Sequence, residues 1–559
     1  MMHALEDEGK YDLIDDNSPS KTSSAGRPDE LRPLASRQPT NGTPGNSKAD
    51  TPRRTLSRSQ TYRPSPAKRS FARANGTFLT ECSFGVARDR LVEVITDVQP
   101  FEPHWEELNS IDLSNRKLES LAWLKGFLPR LDSLNVNTNL LSWLGGIPTT
   151  LRTLSVACNS LTGLTAYSHL LNLENLDISH NEVESLRQLG CLRHLRELKA
   201  DGNNITSIDG LEHLDGLVKL SLQSNSIHFV DFGHCRWTRL EMLNISHNRL
   251  DNVQGLSSLQ SLVALNLDGN FLGELEMKNP LPRLRILRVS ANRLRHLQVA
   301  AVPNLRTLYA DNNALSSLVK VDRLNKLENL SLRNQSARGL NFLTRDVRDV
   351  KRLYLSGNPL NTSLLEEPCY NLVYLELAAC RLTALPEGMA RLVPNLRVLN
   401  LNYNFLEDVR LLEGLTRLQK LTIIGSRLKS TKPLIRLLQR TPDVEMLDFR
   451  MNPCTLGWYL PLLVKDVPGA LQPSEGTSGG KSEKAFVPQG WQELDSKFRR
   501  DLPDEAYIGR LAYRGLIMQA CPRIRMLDGV GVSEKERMKA HHLLQGILRK
   551  GKMRVGGGT

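Results

Sequence analysis

The sequence predicts an α/β solenoid, one long array of short strand-and-turn units stacked side by side. Three observations predict it. A block of spaced aliphatic residues begins at Leu131, Leu151, Leu173, Leu195, Leu217, Leu240, Leu262, Leu284, Leu305, Leu327, Val350, Leu372, Leu396, Leu418 and Val444, mostly 22 residues apart. Within a block the aliphatics alternate and then give way to asparagine, as in Leu131/Leu134/Val136/Asn139/Leu141. The composition is 40% hydrophobic but only 5% aromatic, so the core is built from aliphatic side chains. A degenerate first copy at Leu108 brings the array to about sixteen units, and the template is that of a leucine-rich repeat. At about 150 residues per domain, 559 residues would suggest three or four globular units; the repetition replaces them with one array and its flanks.

Each template position has a physical task. The alternating leucines form a short parallel strand of period two, pointing inward while the residues between them line an exposed, concave sheet. Asparagine at the ninth position (Asn139, Asn159, Asn181, Asn203, Asn225, Asn248, Asn270, Asn292, Asn313, Asn358, Asn404, Asn452) stands where the chain leaves the strand. Its short amide can satisfy backbone groups that would otherwise be buried unpaired. A 22-residue unit leaves room only for a short convex return, a helical turn or 3₁₀ segment around Leu211–Leu214 and Leu256–Leu259. Sixteen strands about 4.8 Å apart make a ladder roughly 75 Å long, a surface for docking.

The flanks differ in composition. Residues 1–75 are rich in Ser, Pro, Thr, Gly and Arg and poor in large aliphatics, which predicts a disordered tail. Hydrophobicity returns over 76–107, the expected N-terminal cap, and the solenoid occupies 108–466. A Gly/Ser/Pro-rich insertion follows at 467–489. Residues 490–550 read as a half-repeat with a helical cap: helix-like spacing over Leu502–Ala520, half the template at Ile524–Val530, then Ser533 and Glu536 as a capping box for a helix to about Leu548. Residues 551–559 read as a second disordered tail.

Several function classes have no support. Leu460–Val464 is among the longest apolar runs, far short of the roughly 20 residues of a membrane span. The acidic start, with Glu6, Asp7 and Glu8, lacks the features of a secretory signal, so a cytosolic or nuclear setting is expected. The eight cysteines are scattered singly without metal-ligand spacing and read as buried thiols. Gly476–Ser482 imitates a phosphate loop but has Glu475 where the first glycine is needed. His180, His247, His541 and His542 read as surface residues. No enzyme, metal or cofactor is expected. The formal charge of +13 sits mostly in residues 21–75, with about twelve Lys or Arg against three acids, so it says little about the folded surface. Aromatics are sparse in that stretch (Tyr62, Phe71), and nucleic acid is not the expected partner.

The concave face is the candidate binding surface. Its early positions are polar or acidic (Asp112, Asp177, Glu197, Asp201, Asp268), and later repeats place Tyr309, Arg333, Arg352, Tyr354, Tyr374 and Tyr403 on neighbouring rungs. Tyr and Arg bury much surface while keeping hydrogen bonds, which enriches them at docking hot spots. In the tail, Thr51, Ser57, Thr61 and Ser65 lie in proline-directed or basophilic kinase contexts and are candidate phosphosites.

The C-terminal block is more distinctive than the repeats. Phe498–Tyr507 (FRRDLPDEAY), Tyr513–Pro522 (YRGLIMQACP), Arg525–Val530 (RMLDGV) and Val532–Lys539 (VSEKERMK) resemble the end of the fungal septation initiation network scaffold, a family related to the mitotic exit network scaffold and to centriolin. His104–Leu108 and Asp448–Pro453 are similar to the same family, and the resemblance covers about residues 100–550. It implies a non-catalytic scaffold of the spindle pole body. The repeats would attach to a pole-anchor protein, and the assembled complex would recruit the GTPase-controlled kinase cascade that triggers cytokinesis. Family members carry a much longer N-terminal region than the roughly 100 residues found here. From the residues alone, two other readings stay open: a regulatory subunit cradling a protein phosphatase, and a nuclear RNA-processing adaptor.

Overall fold

The computed structural model describes residues 86–319, 324–335, 340, 347–361, 365–460 and 491–555. The expected tail at 1–75 and insertion at 467–489 lie outside the described residues, as do the four candidate phosphosites and residues 556–559.

The repeat period becomes a ladder of strands. An 18-stranded sheet runs through the array, ending in the pair Met526–Leu527 and Val530–Gly531. The sixteen strands before that pair are three residues each, from Ser110–Asp112 to Met446–Asp448. Each pairs in parallel with the next, and the central aliphatics stay in register: Ile111 opposite Leu134, Leu134 opposite Leu154, and so on to Leu421 opposite Leu447. The central residue of every rung is buried in one continuous, mainly aliphatic core, which also takes the apolar residue two positions further on, such as Leu113, Val136 or Ile178. Each buried leucine contributes roughly 1.5–3 kcal/mol, so the ladder is held by many similar increments.

The asparagines do what their position predicts. Asn159 Nδ2 donates to Val136 O of the preceding rung (3.0 Å) and to Val156 O of its own (3.1 Å), while its Oδ1 accepts the N–H of Leu141 (3.0 Å). The same three bonds recur as far as Asn452, which bonds Ile423 O, Phe449 O and the N–H of Leu428. Rungs without asparagine use shorter or longer substitutes. Gln335 reaches Ala310 O (2.8 Å) and accepts from Leu315 N (3.1 Å), Cys380 donates to Leu355 O, and Ser426 both accepts from Leu406 N (2.9 Å) and donates to Asn404 O (3.1 Å).

Just before the asparagine position, every one of the sixteen rungs carries a residue of positive φ, from Asn115 and Thr138 through His180 and His247 to Tyr403 and Met451. Twelve of the sixteen are not glycine, and a backbone bond to the next rung compensates for their conformation: Thr138 N donates to Ala157 O (2.8 Å) and His180 N to Asp201 O (2.6 Å). The turn that feeds each asparagine into the core is therefore fixed by the ladder itself.

The return side is short, as the repeat length requires. A 3₁₀ turn forms at Leu256–Ser258, whereas Leu211–Leu214 closes as a turn with Leu214 N on Leu211 O (3.0 Å). Two small parallel sheets, Phe229–Asp231 with Asn252–Gln254 and His296–Gln298 with Ser317–Val319, were not anticipated on this side.

Both ends of the core are closed. Helix α1 (86–98) turns Leu91, Val94 and Ile95 onto the first rung with helical i, i+3, i+4 spacing. At the other end stand α2 (Lys432–Arg440), α3 (Trp491–Arg500), α4 (Asp504–Ala520) and α5 (Glu534–Val555). Met526–Leu527 adds to Met446–Asp448 in parallel, completing the half-repeat read from Ile524–Val530. Helices α4 and α5 approach closely at Gly515, where a Cβ would lie 2.9 Å from that of Ala540. The backbone of α5 continues to Val555, beyond the Leu548 end and into the stretch expected to be a tail. The capping box is only half made: Ser533 Oγ accepts the N–H of Glu536 (3.3 Å), but the Glu536 carboxylate is drawn to Arg514 (Nε–Oε1 2.5 Å, Nη2–Oε2 3.1 Å).

Candidate docking surface

The face of the ladder turned away from the core is organised by carboxylates. Asp201 Oδ1 accepts Ser221 Oγ (2.6 Å) and Gln223 N (2.7 Å) of the next rung, and Asp311 Oδ1 accepts Ser331 Oγ (2.6 Å) and Arg333 N (2.7 Å) in the same geometry. Asp268 accepts Ser290 N (2.6 Å) and Arg288 Nε (2.8 Å). Burial pushes the carboxyls of Asp201 and Asp311 up, with these hydrogen bonds acting in the opposite direction. Asp268, expected as an exposed face residue, is only 6% exposed because it is spent on these contacts.

Arg333 joins this row to the aromatic residues. Its Nε and Nη2 grip both oxygens of Glu376 (2.7 and 2.9 Å), and Nη1 reaches Asp311 Oδ2 (3.4 Å). The guanidinium lies 4.5 Å from the centre of the Tyr354 ring, which packs on Tyr374 at 4.8 Å between centroids. Tyr374 Oη donates to Glu376 Oε2 (3.3 Å), and Ser356 Oγ donates to Oε1 (2.7 Å). Burial opposes the charge on Arg333, but Glu376 and Asp311 outweigh it and hold the group above its ordinary value. Burial, with Glu376 beside it, likewise raises the Tyr374 phenol, so its hydroxyl remains a donor.

The structure thus brings Arg333, Tyr354 and Tyr374 into contact around a buried carboxylate, Glu376, that the residue pattern had not marked. Arg352 is exposed on the same face, opposite Tyr374 in register. Tyr309 stands two rungs earlier than Tyr354, with the Arg288 guanidinium 4.9 Å from its ring centre. Tyr403 is elsewhere. It occupies the left-handed position before Asn404, three residues past the strand Val398–Asn400, and its ring packs over Gly425, where a Cβ would meet Cδ1 at 2.8 Å.

Other expected features are corrected in detail. Cys369, Cys380 and Cys521 are buried, but Cys191, Cys235 and Cys454 are only partly covered and Cys158 is exposed. Burial pushes the thiols of Cys235 and Cys380 up to about 12 and those of Cys369 and Cys454 up to about 11, which disfavours the nucleophilic thiolate. His247 is half-buried, with Nε2 enclosed. Among the described residues no helix is long and apolar enough to cross a membrane, and no group of three or more His, Cys, Asp or Glu is placed to hold a metal ion.

Comparison with known proteins follows the same architecture. The leucine rich repeat model matches residues 149–205, 215–272 and 370–428. The septation initiation network scaffold protein cdc11 of Schizosaccharomyces pombe is 37% identical over 461 residues, 82% of this chain and 44% of that protein. The chain belongs to the leucine-rich-repeat family that contains this scaffold. A second family member, protein NUD1 of Saccharomyces cerevisiae, is 27% identical over 383 residues, 67% of this chain and 42% of the relative. The chain spans less than half the length of either curated relative. A solved leucine-rich repeat protein of Leptospira interrogans superposes with a TM-score of 0.50 at 26% identity, covering 61% of this chain and 95% of the other. The septation-network resemblance read from the C-terminal block is thereby matched by a relative aligned over most of the chain.

Proposed function

We propose that this scaffold-family member is a non-catalytic docking protein of the spindle pole body, acting in septation initiation or mitotic exit signalling. In this reading its strand face attaches a pole-anchor protein, and the complex helps to recruit the GTPase and kinases that trigger cytokinesis. The name of the scaffold relative supports the signalling assignment. The observation that carries the docking role is the Arg333–Tyr354–Tyr374 cluster. Its aromatic groups are held in place before any partner arrives, by a bidentate ion pair that is 2% exposed on the Glu376 side. A platform ordered in advance loses little side-chain freedom on binding.

The test separates docking from stability. Arg333→Ala would strand the buried Glu376 charge and unfold its rungs, so Arg333 is a poor probe. Arg352, Tyr354 and Tyr374 are partly or fully exposed, and their combined replacement by alanine is expected to lower the circular-dichroism melt modestly without unfolding the array, because Arg333 and Ser356 still hold Glu376. The fluorescently tagged full chain is expected to form one or two puncta at spindle poles, and the triple variant to lose them, since each hot-spot truncation costs about 2 kcal/mol or more. Diffuse signal of the unmodified chain throughout mitosis would sink the localisation, and undiminished puncta of the triple variant would sink the docking surface.

A further inference from the structure

The position immediately after the asparagine lies on the flank of the ladder, where the chain has left the strand. Two stretches of this row repeat one construction. Arg249, Phe271 and Arg293 occupy it on three consecutive rungs, and Arg381, Phe405 and Arg427 occupy it on three others. The backbone holds both sets in the same register: Phe271 N donates to Leu250 O (2.8 Å) and Arg293 N to Leu272 O (2.9 Å), while Phe405 N donates to Leu382 O (2.8 Å) and Arg427 N to Leu406 O (3.0 Å). In each set the arginine on the C-terminal side leans back over the phenylalanine, with guanidinium-to-centroid distances of 4.6 Å for Arg293 on Phe271 and 4.5 Å for Arg427 on Phe405.

These rings and cations are open to solvent. Phe271 is 45% and Phe405 40% exposed, and all four arginines are exposed. Arginines that reach across the strand face or close the C-terminal end are matched with carboxylates, as Arg288 is with Asp268, Arg450 with Asp448 and Arg510 with Asp495. Among the described residues, none of the four flank guanidiniums enters an ion pair. The two arginines of a triad stand on rungs either side of the ring, roughly 10 Å apart in backbone spacing, and the C-terminal one leans toward the other across it. Each triad therefore presents two exposed guanidiniums, neither in an ion pair among the described residues, on rungs flanking one exposed ring.

We propose that the Arg249–Phe271–Arg293 and Arg381–Phe405–Arg427 triads are phosphate-recognition notches, and that their occupant is a segment of a partner protein bearing phosphoserine or phosphothreonine. A carboxylate is satisfied by one guanidinium fork, whereas a phosphate monoester carries nearly two charges and three acceptor oxygens, enough for both arginines. The exposed ring accepts the chain beside the phosphate. A polynucleotide fits less well, because Asp251, Glu274 and Glu407 follow closely on the same rungs and interrupt any continuous positive track. The notches lie on the flank, so this inference stands apart from the strand-face reading.

The full chain is to be incubated with an immobilised degenerate library of 11-residue peptides with a fixed central phosphoserine, and with its unphosphorylated twin. The phosphorylated library is expected to retain about tenfold more protein. Fluorescence anisotropy with an enriched phosphopeptide is then expected to show about a tenfold or greater loss for the quadruple variant Arg249→Glu, Arg293→Glu, Arg381→Glu, Arg427→Glu. Phe271→Ala with Phe405→Ala should cost about twofold to fivefold, the size of an exposed cation–π contact. The four Arg→Lys replacements, which keep the charge but lose the fork, should fall between wild type and the glutamate variant. Equal retention of the two libraries, or an unchanged affinity of a folded quadruple variant, overturns the proposal. So does displacement of the phosphopeptide by (dT)20 at lower concentration than the unlabelled phosphopeptide itself, which would assign the notches to nucleic acid.

Discussion

Replacing Asn270 with alanine is expected to lower stability by about 2–4 kcal/mol and to split the urea transition of the array into two. Asn270 is 3% exposed; its Nδ2 donates to Ile245 O and Leu267 O, both at 3.0 Å, and its Oδ1 accepts the N–H of Leu250 at 3.1 Å. The two carbonyls have second donors, since Asn248 also bonds Ile245 O and Asn292 also bonds Leu267 O. Leu250 N–H has no such reserve, and its orphaning dominates the cost. The array itself supplies the control series. Serine at this position accepts from the preceding repeat, as Ser426 does from Leu406 N (2.9 Å), so Asn270→Ser should cost clearly less than alanine. Asn270→Asp should cost more at neutral pH, because it sets a carboxylate against two carbonyls, and acid should recover part of the loss. In a solenoid each unit is stabilised chiefly by its neighbours, so a defect at a central rung uncouples the halves. A single sharp transition with an unchanged midpoint for all three variants would refute this account of the asparagine ladder.

What the sequence made legible follows from periodicity. Period two within a block and about 22 residues between blocks determine which residue faces the core and which neighbour it meets, so Leu134 could be aligned with Leu154 without coordinates. The asparagine role was legible for the same reason. Contacts that skip a rung or cross the insertion were not. Arg333 and Glu376 are 43 residues and two rungs apart, and uneven repeat lengths hide their approach. One usable signal was present: an acid followed 20 residues later by serine, as in Asp201/Ser221 and Asp311/Ser331, marks a carboxylate capping the next rung. Tyr403 was misplaced because the strands are only three residues long, so alternation extrapolated beyond Asn400 leaves the sheet at the left-handed turn. Glu536 was assigned to its own helix start because local spacing cannot register Arg514, 22 residues away on α4.

Asp528 is expected to make the C-terminal seal weaker as pH rises from about 4 to 6, and Asp528→Asn to remove that dependence. Asp528 is 0% exposed; Oδ1 accepts Phe449 N (2.8 Å) and Oδ2 accepts Tyr459 Oη (2.6 Å), so one carboxylate ties the last full rung to the half-repeat across 79 residues of chain. Burial, with the Asp448 charge as the next contribution, lifts its pKa from 3.8 to about 6. Asp448 is held on both oxygens by Arg450, whose charge also acts with Asp528, and Arg514 favours the Asp528 carboxylate, but burial outweighs them. The direction of linkage follows. Between the unfolded and folded values the native state binds more protons, so stability is fullest below about 4 and is lost as pH rises through about 6. The loss is on the order of 3 kcal/mol, from a shift of about two pKa steps. Asparagine keeps an acceptor for Phe449 N and can turn its amide to Tyr459 without carrying charge. Asp528→Asn should therefore match the parent near pH 4 and exceed it increasingly up to pH 7, whereas Asp528→Ala, which orphans both partners, should be weaker at every pH. Urea midpoints of the three proteins at pH 4, 5, 6 and 7 decide the matter: parallel profiles for the parent and Asp528→Asn would mean that the buried carboxylate carries no such penalty. The argument also accounts for a charged group at the end of an aliphatic column. A leucine there could cover the last rung but could not accept Phe449 N–H and Tyr459 Oη together, and the half-repeat would lose the two bonds that register it on the array.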